Sequence, residues 1–263
     1  MLSGCAGSPL ETAGSLKSYD ALKQSDGLLT RSKVHIVKDD VLRAKTVRII
    51  PTTFSEPASH ISFTQTQRQL VANAVDRTLC AGLSERFDLV GEGAPADLTI
   101  RAVITHAAPT NTVAVGVSKG ATIAKTILLP GVPVPIPRIP IGLGSLSLEA
   151  EARDSLDRQE AAMVWARGAN AFLDSGRVAE DGDAYALAAA FGDDFSKLLV
   201  TAETPFGKFP SLPSYNQMRT MFGGEPKSEI CKAFGKSPGL VGLLGGGIGV
   251  PPDWTDKGAT ATP

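Results

Sequence analysis

Two stretches of the chain carry the spacing of apolar side chains that is typical of amphipathic helices. Residues 64–85 begin with the capping-box spacing of Thr64 and Gln67 and continue with an apolar stripe at three- and four-residue intervals. The same spacing returns over residues 183–200, where Asp193 and Lys197 are placed for an i,i+4 ion pair. The pattern therefore predicts two long helices, each with one face towards a core.

Other segments alternate between apolar and polar residues, as strands with one buried face do. Residues 97–107 alternate cleanly, and residues 146–153 alternate in the same way before a polar turn at 154–159 and a second segment at 161–168, which predicts an antiparallel hairpin. A first strand is predicted from Thr46 to Pro51, because proline cannot donate to a ladder and favours an end there. We expect the polar face of these strands to be wet.

The order strand, long helix, strands, helix predicts an α+β fold, with an antiparallel or mixed sheet and helices packed on one face. We assign this domain to residues 19–203. Residues 204–263 are rich in proline and glycine and predict a loop-rich C-terminal extension. No Pro-free apolar run of 18 residues occurs, so the sequence predicts no membrane-spanning helix.

The first residues, Leu2-Ser3-Gly4-Cys5, resemble a bacterial lipobox, in which the cysteine receives a diacylglyceryl group before signal cleavage. Only Met1 precedes the motif, so the rest of a signal peptide is expected upstream of this sequence. Lipidated Cys5 followed by Ala6 would place the protein on the periplasmic face of the outer membrane. Residues 1–18 then comprise the lipobox and a flexible tether. The alternative is an ordinary free cysteine.

Two further cysteines, Cys80 and Cys231, would lie in an oxidising periplasm. A disulfide between them is possible, but the sequence alone does not place their Cα atoms within bonding range. Two buried, unpaired thiols are the alternative.

Charge and residue spacing exclude several classes of partner. Lys and Arg number 26 against 27 Asp and Glu, a net charge of −1, so nucleic acid is not an expected partner. No His, Cys or carboxylate spacing matches a zinc or EF-hand site, and no glycine-rich loop matches a nucleotide fingerprint. We therefore predict no metal and no cofactor.

Gly116 to Gly120 matches the G-x-S-x-G pattern that exposes the nucleophile of a serine hydrolase, with Ser118 at its centre. In that family of folds the catalytic histidine follows the serine, whereas all three histidines here precede it. We predict that the protein is not an enzyme. A periplasmic serine hydrolase using Ser118 is the alternative.

Residues 121–144 form a Pro-rich apolar arm in which prolines alternate with branched aliphatic residues. Prolines at this density prevent a helix or a central strand, so the arm should be extended. It either folds back on its own core or offers a partner-binding surface. The side chains proposed for partner contact are Leu129, Val132, Val134, Ile136 and Ile139.

Several of these features together resemble a family of bacterial envelope lipoproteins labelled as a domain of unknown function. The resemblance covers about residues 16–200, and beside the lipobox and the helix at 64–85 it rests on an expected entry helix at Leu16–Leu22, the strand ending Ile49-Ile50-Pro51, Ala96-Asp97-Leu98, and Gly142-Leu143-Gly144 leading to Glu149 and Asp154. The element order is also similar to the α+β domain of the curli-secretion lipoprotein, of the N-terminal part of the Tol-Pal propeller protein and of penicillin-binding-protein activator lipoproteins.

The resemblance implies partner binding and envelope assembly. The predicted function is a lipid-anchored periplasmic lipoprotein that acts as a non-catalytic scaffold or assembly component of the cell envelope. Its expected partners are envelope proteins or further copies of itself, with the membrane reached through the lipid anchor.

Overall fold

The computed structural model describes residues 8–111, 143–170, 179–207, 218–220, 222–235, 239, 251–256 and 258. Its strands are β1 (Lys23–Gln24), β2 (Thr30–Ile36), β3 (Thr46–Phe54), β4 (Asp88–Leu89), β5 (Leu98–Ala108), β6 (Ser145–Asp154) and β7 (Gln159–Gly168). Its α-helices are α1 (Lys38–Arg43), α2 (Glu56–Ser59), α3 (Gln65–Leu83), α4 (Gly182–Thr201) and α5 (Pro252–Thr255), with a 3₁₀ helix at Glu229–Phe234.

The seven strands form one mixed sheet in the order β1-β2-β7-β6-β5-β3-β4. Strand β3 runs parallel to both its neighbours, β4 and β5, whereas all other neighbouring strands are antiparallel. The predicted hairpin is confirmed as β6 and β7, which pair from Ser145↔Gly168 to Arg153↔Gln159. The α+β fold class, with helices packed on one face of the sheet, is confirmed.

Helices α3 and α4 pack side by side on one face of this sheet and enclose the main core. Helix α3 begins as predicted, with Thr64 and Gln67 forming a complete capping box. Phe191 of α4 and Trp165 of β7 pack in a T-shaped arrangement with ring centroids 5.6 Å apart. The helices approach closely at Gly192, where an added Cβ would lie 2.9 Å from the Val75 carbonyl oxygen. Among the described residues, no helix is both long and apolar enough to span a membrane.

The prediction that the first strand ends at Pro51 is wrong, because β3 continues to Phe54. Its pairing with β5 shifts register between Ile50 and Thr53, so one extra residue is accommodated there as a bulge. Beyond Val47, β3 has no partner strand on its outer edge among the described residues. Pro51, which has no backbone N–H to donate, is therefore tolerated within β3.

A buried carboxyl group from the helix layer binds the bulge. The Thr52 amide and hydroxyl donate to Asp76 on α3, with an Oγ1–Oδ1 distance of 2.6 Å. Burial raises the pKa of Asp76 to about 7, although the hydrogen bonds from Thr52 act in the opposite direction. This pair fixes the irregular part of β3 to α3.

Candidate functional site

Residues 8–22, which we call the N-terminal strap, lie on the second face of the sheet, opposite the helices, and contact β5, β6 and β7. The alternation along β6 is as predicted, but its polar side chains are not wet: Ser147 and Glu149 are 0% exposed and Glu151 is 1% exposed. They face the strap. The expectation of a wet face is therefore wrong for β6, because a distant part of the chain covers it.

Glu149 is the centre of this contact. Its Oε2 accepts from the Ser15 amide at 3.2 Å and from the Ser15 hydroxyl at 2.6 Å. Its Oε1 accepts from the Tyr19 hydroxyl at 2.7 Å. Both oxygens of a buried carboxyl group are thus bound by strap donors, which satisfies a group that would otherwise be costly to bury.

The next polar residue of β6, Glu151, binds the strap one step further along. Its Oε2 accepts from the Lys17 amide at 2.8 Å, and its Oε1 accepts from Arg153 Nε at 2.7 Å. The Lys17 ammonium pairs with Asp157 in the turn between β6 and β7. The strap therefore follows β6 towards that turn.

The beginning of the strap binds the opposite end of β6. The Ser147 hydroxyl donates to the Pro9 carbonyl at 2.5 Å, and the Thr105 hydroxyl on β5 donates to the Glu11 carbonyl at 2.9 Å. His106 Nδ1 lies 3.2 Å from the Glu11 carboxylate. Residues 8–11 are thereby placed at the end of the sheet where β5 finishes and β6 starts.

An apolar contact completes the strap. Leu16 is buried against Ala162 and Val164 of β7, with Leu10, Tyr19 and Leu22 around it. Burial, and next the hydrogen bond to Glu149, raise the pKa of the Tyr19 hydroxyl to about 12. Tyr19 therefore stays a hydrogen-bond donor across the physiological pH range.

Two expectations for this segment are corrected. The predicted tether is packed on the sheet from residue 8 onward, because its backbone and side-chain donors bind the carboxyl groups of β6. The expected entry helix at Leu16–Leu22 is absent, and bends with one turn at Tyr19–Leu22 occupy its place. The Lys17 amide donates to Glu151 rather than to a helical carbonyl.

The C-terminal extension is fastened to the helix layer at two points. Cys80 of α3 and Cys231 of the 3₁₀ helix form a disulfide with a Cα–Cα distance of 5.6 Å. Further along, Asp256 is buried and accepts from Arg77 and from the Tyr185 hydroxyl, both at 2.7 Å. The described part of the extension is thus attached to α3 and α4.

The helix predicted over residues 183–200 is confirmed as α4, and its first turn binds Thr110, which precedes the arm, and Gly144, the last residue of the arm. The Asp183 carboxylate accepts from the Gly144 amide at 3.0 Å, and the Thr110 hydroxyl accepts from the Asp183 amide at 3.3 Å. A Cβ at Gly144 would lie 2.7 Å from Asp183 Cβ, so this close approach requires glycine. The start of α4 therefore holds Thr110 and Gly144 at one end of the sheet.

Several predicted site residues lie outside the described residues. These are Cys5, Ser118, and the arm residues Leu129, Val132, Val134, Ile136 and Ile139. In the part of the chain that the structure describes, no cluster of three or more His, Cys, Asp or Glu side chains could hold a metal ion.

The sequence pattern does not predict that Glu149 binds Ser15 and Tyr19. Glu149 and Glu151 stand in a strand that the pairing places in the middle of the sheet, between β5 and β7. Two carboxyl groups in a central strand indicate that hydrogen-bond donors from another segment of the chain bind them.

A mixed seven-stranded sheet with two long helices on one face and a strap on the other defines this chain as an α+β domain protein. The chain belongs to the family described as a protein of unknown function, DUF3313, whose model matches residues 11–195. No curated protein matches it.

Two solved structures of the PelC dodecamer from Paraburkholderia phytofirmans are similar to the chain. One, of a single-substitution variant, has 12% identity, covers 65% of this chain and 93% of that chain, and has a TM-score of 0.33. The other has 11% identity, covers 63% and 96%, and has a TM-score of 0.35.

Proposed function

We propose that this protein is a lipid-anchored envelope lipoprotein that acts as a non-catalytic scaffold or assembly component on the periplasmic face of the outer membrane. The observation that carries the proposal is the strap. It begins at Ser8, three residues after the lipobox cysteine, and its contacts with β5 and β6 start at once. Three residues span at most about 11 Å.

An acyl chain on Cys5 would therefore hold the folded body close to the bilayer in a defined orientation. The end of the sheet that carries Ser147 and Thr105 would face the membrane. Thr110, which precedes the arm, and Gly144, its last residue, both lie at this end, so we propose that the arm contacts its partners on the membrane side. Envelope proteins or further copies of this chain at the membrane surface would then be its partners.

The test of the anchor is the mass of the product expressed with its upstream sequence in a Gram-negative host. We expect a diacylglyceryl-modified Cys5 in the outer-membrane fraction and a soluble periplasmic product for Cys5→Ala. An unmodified Cys5 in a soluble wild-type product would overturn the proposal.

The scaffold role needs a separate test. Deletion of residues 126–141 should abolish a cross-linked partner or change the oligomeric state, while leaving Cys5 lipidation intact. No change in either readout would remove the arm's role. Labelling by a fluorophosphonate probe that is lost in Ser118→Ala would overturn the non-catalytic assignment in favour of the hydrolase.

A further inference from the structure

The strap-covered face of the sheet has an open part beyond Lys17. A cleft of about 670 Å³ lies there, between the loop at 93–96 and the turn between β6 and β7, over β3, β5 and β6. Its size is that of a site for a small molecule. The strap borders it through the ion pair of Lys17 with Asp157.

Three arginines surround one hydroxyl group on the floor of this cleft. Register places Arg48 on β3 and Arg153 on β6 directly beside Thr99 of β5, one on each side. Arg101 is the next residue of β5 on the same face, between Ile50 and Glu151. Arg48 and Arg101 are diagonal neighbours on two parallel strands. A strand spacing of about 4.8 Å and a rise of about 3.3 Å per residue put their Cα atoms about 8 Å apart, which suits two guanidinium groups around one anion.

The carboxylates that line the cleft already have cationic partners. Glu151 binds Arg153, Asp154 binds Arg158 at 2.6 Å, and Asp157 pairs with Lys17. They therefore do not cancel the charges of the remaining two arginines.

Within the described ranges, neither Arg48 nor Arg101 has a carboxylate partner. Arg48 donates only to neutral acceptors, the Ala94 carbonyl at 3.4 Å and Thr99 Oγ1 at 3.1 Å, and its buried Nε has no partner. Arg101 is exposed into the cleft. Two uncompensated guanidinium groups beside a hydroxyl are the donor set that binds oxyanions in bidentate fashion.

We propose that this cleft binds a phosphate group through Arg48, Arg101 and Thr99. The proposal is independent of the lipid anchor, because every residue that carries it belongs to the folded body. The phosphate comes either from a small soluble molecule or from a lipid headgroup, and the experiment separates these sources.

The experiment titrates the full unlipidated chain with inorganic phosphate and follows the Thr99 and Arg101 amides by NMR. We expect saturable shifts at both amides, and affinity that falls as salt rises because the site is open to solvent. Arg101→Gln should weaken binding about tenfold or more, the loss expected for a hydrogen bond to a charged group. The exposed position of Arg101 lets this variant fold.

Lys33→Gln is the matched control, because Lys33 lies exposed on the same face in β2, outside the cleft. It removes one positive charge and should leave phosphate binding unchanged. Absence of saturable shifts in the wild type, or equal affinity in Arg101→Gln, would overturn the proposal.

The second arm uses vesicles of phosphatidylglycerol. Vesicle binding that inorganic phosphate displaces and Arg101→Gln removes would support the site and assign a lipid headgroup as its source. Phosphate binding without vesicle binding would support the site and assign a soluble molecule. Vesicle binding that is equal in Arg101→Gln, with no phosphate binding, would contradict it.

Discussion

Replacing Glu149 by alanine should release the N-terminal strap while the rest of the domain stays folded. Glu149 accepts from the Ser15 amide, the Ser15 hydroxyl and the Tyr19 hydroxyl, and the two hydroxyl bonds are short, at 2.6 and 2.7 Å. A hydrogen bond to a charged group contributes about 1.5–3 kcal/mol. At the lower end of this range, the two short bonds alone contribute about 3 kcal/mol.

The substitution lowers the free energy of strap docking and leaves that of the core unchanged, because the freed donors bind water once the strap opens. About 3 kcal/mol corresponds to roughly a hundredfold increase in the opening equilibrium. The assay is native-state hydrogen exchange of the Leu16 and Lys17 amides, which donate to Tyr19 and Glu151. We expect both amides to exchange about a hundredfold faster in Glu149→Ala.

The strap offers a matched pair of serines as a control. Ser15→Ala loses one bond to Glu149 and should accelerate the same exchange about tenfold. Ser18 bonds only with Asp20 within the strap, so Ser18→Ala should leave the exchange unchanged. Unchanged protection of Leu16 and Lys17 in Glu149→Ala would refute the view that this carboxyl group holds the strap.

Three further predictions concern the core and the extension. Removing the disulfide with Cys80→Ala and Cys231→Ala should lower the free energy of unfolding by about 5 kcal/mol in the loop-entropy model, measured by urea titration. Burial raises the pKa of Asp76 from 3.8 to about 7, so the folded state favours the protonated carboxyl group. Its contribution to the free energy of unfolding is full below about pH 4 and is lost as the pH rises through 7. Asp76→Asn should flatten that loss, of up to about 4 kcal/mol, in urea midpoints from pH 4 to 8. Gly192→Ala should destabilise by about 1–3 kcal/mol in thermal melts, since its Cβ would meet the Val75 carbonyl; unchanged midpoints would contradict each.

The long helices and the hairpin of β6 and β7 were predictable from the sequence because their signals are short-range. The capping box at Thr64 and the apolar stripe behind it depend on residues three and four apart, and both are present in α3. The hairpin of β6 and β7 likewise follows from the alternation along β6 and the polar turn after it. From these elements the sequence alone determined the α+β class.

Other features depended on residues far apart in the chain. Ser15 and Glu149 are 134 positions apart, and no local pattern tells whether the polar face of a strand meets water or another segment. The disulfide likewise depends on tertiary structure, because the fold brings the Cα atoms of Cys80 and Cys231 to 5.6 Å although 151 positions separate them.

Pro51 shows the same division within a single strand. Proline predicts a strand end because it cannot donate to a ladder, yet β3 continues through it. The deciding facts are the bulge opposite β5 and the carboxyl group of Asp76, which binds Thr52 from the helix layer. Sequence periodicity determines which face of an element is apolar, whereas only the tertiary structure decides what covers the polar face, because that covering depends on contacts between distant segments.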